Sequence, residues 1–241
     1  MRLLITALFF LTAASASAGE TLRFATHTGP PLSHFLGEVL QNALAPHGLG
    51  VEMIEMPGRR VISEVNSGKM DGDPCRVDNF KQISRDDTSN YVKVNEAIVL
   101  TRIVMVTGKE TRIGAPSWAA ANQGKIAFLR GSKRIRKNIQ EKNRHPVTRN
   151  LYALKLVAQG RIRSAVMFAS VADLLLHDNP GLKEQLIIHE KAIMAYNQFP
   201  YLHRKHADLI PGLESSLKHL KHTGRFKKIA ARHWINPPRE E

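Results

Sequence analysis

The chain has 241 residues, 43% of them hydrophobic, and contains a single cysteine. This length suffices for two modest hydrophobic cores, which must hold the fold without an internal disulfide. The net charge of +14 at pH 7 favours anionic partners, and a basic solvated surface that affects only solubility is the alternative. Lys and Arg are spread along the chain without aromatic interleaving, which argues against nucleic acid.

The first 18 residues have the layout of a secretory signal peptide. Arg2 precedes an apolar stretch over 3–11, and the small residues Ala16 and Ala18 come just before Gly19. The apolar stretch is far shorter than the roughly 20 residues that cross a bilayer. We therefore expect cleavage after Ala18 and a mature protein free in the periplasm.

The chain after the signal peptide alternates between predicted strands and helices. Residues 21–26 predict a strand, and the loop 27–31 with its two prolines must end it. A helix follows over 33–44 with Ser33 as its N-cap. The next elements are a strand over 51–56, a helix over 59–67 closed by Gly68, and a short strand over 70–73. This β-α-β-α-β order is typical of a mostly parallel sheet with helices on its faces.

A long β-rich run over 97–107 can pass from one lobe into another, and the alternation then restarts. The predicted strands of this second part are 125–129, 164–168, 186–189 and 198–203. The predicted helices are 133–142, 151–159, 171–176, 213–221 and 226–234. We found no repeat at a fixed period, which excludes solenoids and propellers.

Five stretches, in order, resemble the periplasmic solute-binding proteins of the amino-acid type, extracellular solute-binding protein family 3. They are 22–31, 64–73 (EVNSGKMDGD), 124–132 (GKIAFLRGS), 154–162 (LKLVAQGRI) and 217–234. The resemblance implies an α/β, two-lobed, type 2 periplasmic-binding-protein fold. Lobe 1 would span 19–103 plus 198–241 and lobe 2 would span 104–197. Each lobe would be a mostly parallel sheet flanked by helices, with two hinge strands joining the lobes and the ligand in the cleft.

Three loops after predicted strands are candidate ligand contacts, because ligands of open α/β sheets bind at the carboxyl ends of strands. The first loop contains His27 and Thr28. In the third loop, Ser132 lies at a predicted helix N-terminus between the cations Arg130 and Lys133, which suits a carboxylate.

The second loop, 73–76, holds the first candidate for a carboxylate clamp. In the resembling family an arginine of the first lobe commonly holds the ligand's α-carboxylate, and Arg76 matches it by location. A guanidinium fork can bond both oxygens, although a surface ion pair is the competing interpretation. Asp73 could orient Arg76, meet a ligand amine, or cap the turn at Pro74. Tyr201 could line the hinge side of the cleft or pack in the core.

One departure from the family bears on the ligand. Family members usually carry an acid just after the strand that follows Gly-Arg-Ile, where it pairs with the ligand's ammonium. Here residues 163–170 contain no Asp or Glu, and the nearest acid is Asp173. A buried ammonium without a partner is costly. We therefore expect a carboxylate or other anion rather than an ordinary α-amino acid.

We predict no metal and no cofactor. The 11 histidines include the pairs His203/His206 and His219/His222, but no Cys or carboxylate cluster completes either pair. Cys75 is expected to be a small packed residue rather than a nucleophile.

The sequence thus predicts a monomeric, non-enzymatic receptor that passes a small solute to an inner-membrane ABC permease. One alternative is a ligand-responsive protein that acts on a membrane partner such as a sensor ectodomain. A periplasmic lyase or dehydratase is a further alternative, in which His27 and Asp73 would be the first-lobe candidates for acid-base chemistry.

Overall fold

A computed structural model describes residues 20–235, which form two α/β lobes. The signal segment predicted for 1–18 lies outside the described residues. The elements of lobe 1 are β1 (Thr21–Thr26), α1 (Leu32–Leu44), β2 (Gly50–Glu55), α2 (Gly58–Asn66), β3 (Gly72–Val77), α3 (Phe80–Ile83), β4 (Tyr91–Lys93), α9 (Ile210–His222) and α10 (Arg225–Arg232). The elements of lobe 2 are α4 (Trp118–Ala121), β6 (Ile126–Leu129), α5 (Lys133–Asn138), β7 (Arg144–Val147), α6 (Asn150–Ala158), β8 (Ser164–Phe168), α7 (Ala169–Asp178), α8 (Pro180–Lys183) and β9 (Leu186–Ile188). Two long strands, β5 (Val99–Gly108) and β10 (Met194–His203), connect the lobes.

The strands of the described chain form one sheet in the order β2-β1-β3-β10-β5-β8-β6-β7, with β4 on β10 and β9 on β5. Within lobe 1, β1 is parallel to β2 and β3, and within lobe 2, β6 is parallel to β7 and β8. The connecting strands β5 and β10 are antiparallel to each other, with Ile103 opposite Met194 and Val99 opposite Gln198. The predicted architecture of mostly parallel lobes joined by two strands is confirmed.

Each lobe buries apolar residues on both faces of its sheet, because successive side chains of a strand point to opposite faces. In β1, Phe24 packs in one core cluster and Ala25 in another. In β5, Val104 and Ile103 divide in the same way between the two clusters of lobe 2.

Helix α1 shows how the sequence specifies the outer layer. Its buried residues recur at helical spacing, and the ring of Phe35 meets the ring of Phe226 from α10 edge-on at 5.6 Å. The helix is followed by a short 3-10 turn that ends at Gly48, whose φ of 72° favours glycine. Ser33 is not the N-cap as predicted, because the helix begins at Leu32 and Ser33 is buried.

Two strands and one helix differ from the prediction in ways that matter for the site. Strand β3 was predicted to end at residue 73 but continues to Val77, so Asp73 and Arg76 lie within a strand rather than a loop. Its ladder with β10 shifts register between Phe199 and Tyr201, which allows a proline in each strand. Strand β10 begins at residue 194 rather than 198, and α5 ends at residue 138 rather than 142.

Within residues 20–235, no helix has the length and apolar character needed to span a membrane.

Candidate functional site

The described chain contains a cleft between the two lobes, and the cleft includes two adjoining chambers. A further pocket of about 540 Å³ adjoins the first of them at Val77, Arg134 and Tyr196. The first chamber has a volume of about 900 Å³, and its lining includes Arg76 from lobe 1 and Arg134 from lobe 2. The second chamber, of about 570 Å³, lies between the 27–32 loop of lobe 1 and the 129–132 loop of lobe 2. His27, Tyr196 and Gln198 line both chambers, which makes them one continuous cleft.

Arg76 is held in the first chamber by a buried carboxylate. Its Nε donates to Asp73, whose side chain is fully buried and also accepts from the backbone N–H of Cys75 at 3.3 Å. The guanidinium lies over the ring of Phe80, 4.6 Å from the ring centroid. Its Nη2 is buried without a hydrogen-bond partner among the described residues. A buried donor without a partner is costly, so this guanidinium is suited to an anionic acceptor.

Four further cationic side chains, from both lobes, line the first chamber. They are Arg59, Arg85, Lys133 and Arg134. Asp86 is the one carboxylate on the wall of the first chamber in the described chain, and it accepts from Arg59 at 3.2 Å. A cleft lined by charges of one sign concentrates the opposite charge, so the first chamber favours anions.

Neutral polar groups lie where the two chambers meet. Burial lowers the pKa of His27, and the Arg76 cation lowers it further, so the imidazole is neutral at pH 7. Burial raises the pKa of Tyr196 more than the nearby Arg134 lowers it. The Arg134 guanidinium lies 4.2 Å from the centre of the Tyr196 ring. Gln198 donates to Thr101 of β5.

The second chamber is mainly apolar and has no carboxylate among its described lining residues. Phe168, at the end of β8, is 39% exposed, which is high for a large apolar side chain. The adjacent residues Ala169 and Ser170 also line this chamber.

Six of the eight predicted site residues line the cleft. Arg76, Lys133 and His27 line the first chamber, while Thr28, Arg130 and Ser132 line the second, as does His27. Ser132 lies at the N-terminus of α5 as predicted, although α5 has only 6 residues and the Ser132 side chain makes no capping bond.

Asp73 and Tyr201 lie outside the walls of both chambers. Asp73 is fully buried behind Arg76, which fits the orienting role among those considered for it. Tyr201 packs in the core and does not line the cleft, which corrects the cleft position predicted as one of its two alternatives. Its side chain is 1% exposed, and its hydroxyl donates to the carbonyls of Asp78 (2.7 Å) and Val77 (3.2 Å).

Arg134, Tyr196 and Gln198 were missed from the sequence. Tyr196 and Gln198 are two residues apart, so they share one face of β10. This signal was available, but the strand was predicted to begin only at residue 198. Arg134 is adjacent to the predicted Lys133, and its stacking on Tyr196 depends on a contact between two distant parts of the chain.

The other chemical candidates have structural partners or lack reactivity. Burial raises the pKa of the Cys75 thiol above its usual range, so the thiolate is disfavoured. His206 contacts the carboxylate of Asp71 at 2.7 Å, and His203 accepts from the backbone N–H of Lys205. Residues 20–235 contain no group of three or more side chains of the kind that holds a metal ion.

Comparisons with known proteins agree with this geometry at the level of the fold. No protein-family model matches the chain. An uncharacterized protein from Shewanella oneidensis is 24% identical over 203 residues, covering 79% of this chain and 72% of that protein. The GluR0 ligand-binding core in complex with L-glutamate has a TM-score of 0.71 and 12% identity, covering 90% of this chain and 99% of that one. A histidine kinase sensor domain with similarity to periplasmic binding proteins has a TM-score of 0.67 and 15% identity, covering 92% of this chain and 99% of that one. The substrate-binding protein of an amino acid ABC transporter has a TM-score of 0.60 and 15% identity, covering 89% of this chain and 99% of that one.

The chain therefore has the type 2 periplasmic-binding-protein fold, in which two α/β lobes enclose a cleft.

Proposed function

We propose that this protein is a periplasmic receptor of the amino-acid type, within extracellular solute-binding protein family 3, and that it is not an enzyme. It captures a small carboxylate-bearing anion between its lobes as a monomer. The observation that carries the proposal is Arg76, which lines the interlobe cleft, is anchored by the buried Asp73, and has an Nη2 without a partner in the described chain. The surrounding cations attract the same class of ligand.

Two of the three first-lobe groups considered for acid-base or nucleophilic chemistry, Asp73 and Cys75, are buried. Asp73 is fully buried and paired with Arg76, so a ligand cannot reach it. The Cys75 thiol is buried, which leaves His27, neutral and on the cleft wall, as the candidate general base. A general acid or base must lie within hydrogen-bond reach of the reacting proton. Incubation with the bound ligand should leave the ligand unchanged, and its conversion would overturn this part of the proposal.

The most direct test is a binding screen on the mature protein. A thermal-shift screen against amino acids, monocarboxylates, dicarboxylates and inorganic phosphate, followed by calorimetry, should identify carboxylates that raise the melting temperature by mass action. If a properly folded sample binds none of these compounds, the proposal is wrong.

Delivery to a membrane importer and signalling to a membrane partner are both compatible with the cleft. We favour delivery to an ABC permease, and the likeness to a histidine kinase sensor domain supports sensing as the second candidate. A pull-down from membranes with and without the identified ligand would separate them. Capture of a permease supports delivery, and capture of a sensor ectodomain supports sensing.

A further inference from the structure

We propose that the cleft selects anions with an uncharged, largely apolar body and no ammonium group, such as aryl- and alkylcarboxylates. This inference rests on the proposed function, because it assigns the chemical class of the ligand held in the same cleft. It follows from the contrast between the two chambers.

The charges on the cleft walls exclude an ammonium group. Among the described lining residues of the two chambers, Asp86 is the one carboxylate, and the guanidinium of Arg59 already contacts it. Asp78 lies in an adjoining pocket and is paired with Lys93. An α-ammonium carried beside a carboxylate bound at Arg76 would lie among cations without a counter-charge. Like charges repel strongly in a partly desolvated site, and a buried charge without a partner is costly.

The second chamber suits an apolar body. Lobe 1 contributes Leu32 and Ile235 to its wall, and lobe 2 contributes Leu129 and Phe168. The 39% exposure of Phe168 leaves an aromatic surface that a ligand can cover. Ligand pockets are typically lined by such apolar groups with a few polar groups that fix orientation.

The two chambers can be filled by one molecule. Because His27, Tyr196 and Gln198 line both, a carboxylate near Arg76 can continue into the second chamber without leaving the cleft. The volume of about 570 Å³ lies within the range common for small-molecule sites. The first chamber thus contributes Arg76 for the carboxylate, and the second, whose wall also includes Arg102 and Arg130, contributes the apolar surface for the body of the ligand.

Matched ligands test the two parts of this inference on the unmodified mature protein. Calorimetry compares 3-phenylpropanoate with L-phenylalanine, and hexanoate with L-norleucine, because each pair differs only in the ammonium group. Glutarate and inorganic phosphate represent anions without an apolar body. We expect each apolar carboxylate to bind at least about tenfold more tightly than its amino-acid counterpart, because the ammonium would lack a counter-charge. We also expect at least one apolar carboxylate to bind about tenfold or more tightly than glutarate and phosphate, because these leave the apolar wall uncovered.

A gain of function provides the second test. Gln198 lines both chambers, so a carboxylate at this position would reach the first chamber, where the α-ammonium would lie. Gln198→Glu should therefore raise the affinity for L-phenylalanine about tenfold by supplying a counter-charge. The variant has nearly the same shape as the unmodified protein and should not raise the affinity for 3-phenylpropanoate, which has no ammonium to pair with the new charge.

The outcomes separate this inference from the proposed function. If L-phenylalanine binds the unmodified protein as tightly as 3-phenylpropanoate, the exclusion of ammonium is wrong. If glutarate or phosphate binds more tightly than both apolar carboxylates, the role of the second chamber is wrong. The receptor function would stand in both cases. Binding of none of these compounds to a folded sample would overturn both the inference and the proposed function.

Discussion

Arg76 and Asp73 form a nearly buried ion pair beside the cleft, with side-chain exposures of 12% and 0%. Removing one partner of such a pair leaves the other charge without compensation. The stability of lobe 1 therefore depends on the same Arg76 guanidinium that we propose binds the ligand.

We predict that Asp73→Asn lowers the free energy of unfolding by about 3 kcal/mol, because Arg76 then stays buried without a counter-charge. Asp86→Asn is the matched control, since its partner Arg59 is 90% exposed. The control should cost less than about 1 kcal/mol. Urea denaturation at neutral pH measures both values. Equal losses in the two variants would show that the Asp73 pair has no special structural role.

We predict that the affinity for a carboxylate depends on pH, because His27 lines the cleft. In the free protein its pKa lies below the ordinary value of 6.5, because of burial and the Arg76 cation, so the ring is neutral at pH 7. An anion bound nearby favours the protonated ring and raises this pKa, so binding takes up a proton at acidic pH. Affinity for a carboxylate should therefore rise between pH 7 and about pH 5.5, where the ligand is still ionised.

Calorimetry in buffers of different ionisation enthalpy measures this proton uptake directly. The His27→Asn variant should bind the carboxylate without proton uptake, and its affinity should vary less with pH. Unchanged uptake in that variant would assign the proton to another group.

At the scale of elements, β3 is critical because it lies between β1 and β10 and contains both Asp73 and Arg76. Its first residue, Gly72, is in close contact with both neighbours. A Cβ there would lie 2.6 Å from a ring carbon of Phe24 and 2.8 Å from the carbonyl oxygen of Tyr201. A side chain at this position would push the sheet apart next to the site.

We predict that Gly72→Ala lowers the free energy of unfolding by roughly 1–3 kcal/mol through overpacking. Gly114→Ala is the control, because nothing lies within 4 Å of the Cβ that it would add. Thermal or urea unfolding of both variants provides the comparison. A Gly72 variant as stable as the control would mean that β3 can shift without cost.

The order of the elements could be predicted from the sequence because apolar periodicity and Gly or Pro breaks mark most of them. The lobes, α1, α2, β5 and β8 follow from such patterns. The extension of β3 could not be predicted, since Pro74 normally argues against a strand. It is possible because the ladder with β10 shifts register in the same region.

The site was predictable to a similar degree. Arg76, Lys133 and His27 were predicted to line the cleft because they follow predicted strands and, for Arg76 and Lys133, carry a positive charge. The structure places all three on its wall. The role of Tyr196 depends on where β10 begins and on Arg134 reaching it from α5, and both follow from tertiary pairing. Local sequence patterns contain no information on such contacts.

At the scale of the whole molecule, the lobes also touch away from the hinge strands. The ring of Trp234, which follows α10 of lobe 1, lies 5.1 Å from the ring of His177 in α7 of lobe 2. Trp234 has a φ of 54°, which is rare for a residue other than glycine. A movement of one lobe against the other would change this contact.

We predict that ligand binding changes the fluorescence of Trp234. The chain has 2 tryptophans, so Trp118→Phe leaves Trp234 as the single reporter. Saturation with a carboxylate that binds by calorimetry should shift its emission, because lobe closure alters the surroundings of the ring. An unchanged spectrum at saturation would indicate binding without movement of the lobes at this contact.

The central claim is that the cleft binds a carboxylate through the geometry of Arg76. Arg76→Lys is the sharpest variant, since it keeps a positive charge beside Asp73 but removes the guanidinium fork. Arg225→Lys makes the same exchange on an exposed residue of α10 outside the two chambers. Calorimetric titration with the tightest carboxylate of the screen should show one site per chain, at least about tenfold weaker binding in Arg76→Lys, and no change in Arg225→Lys. Equal affinity in all three proteins would contradict the claim.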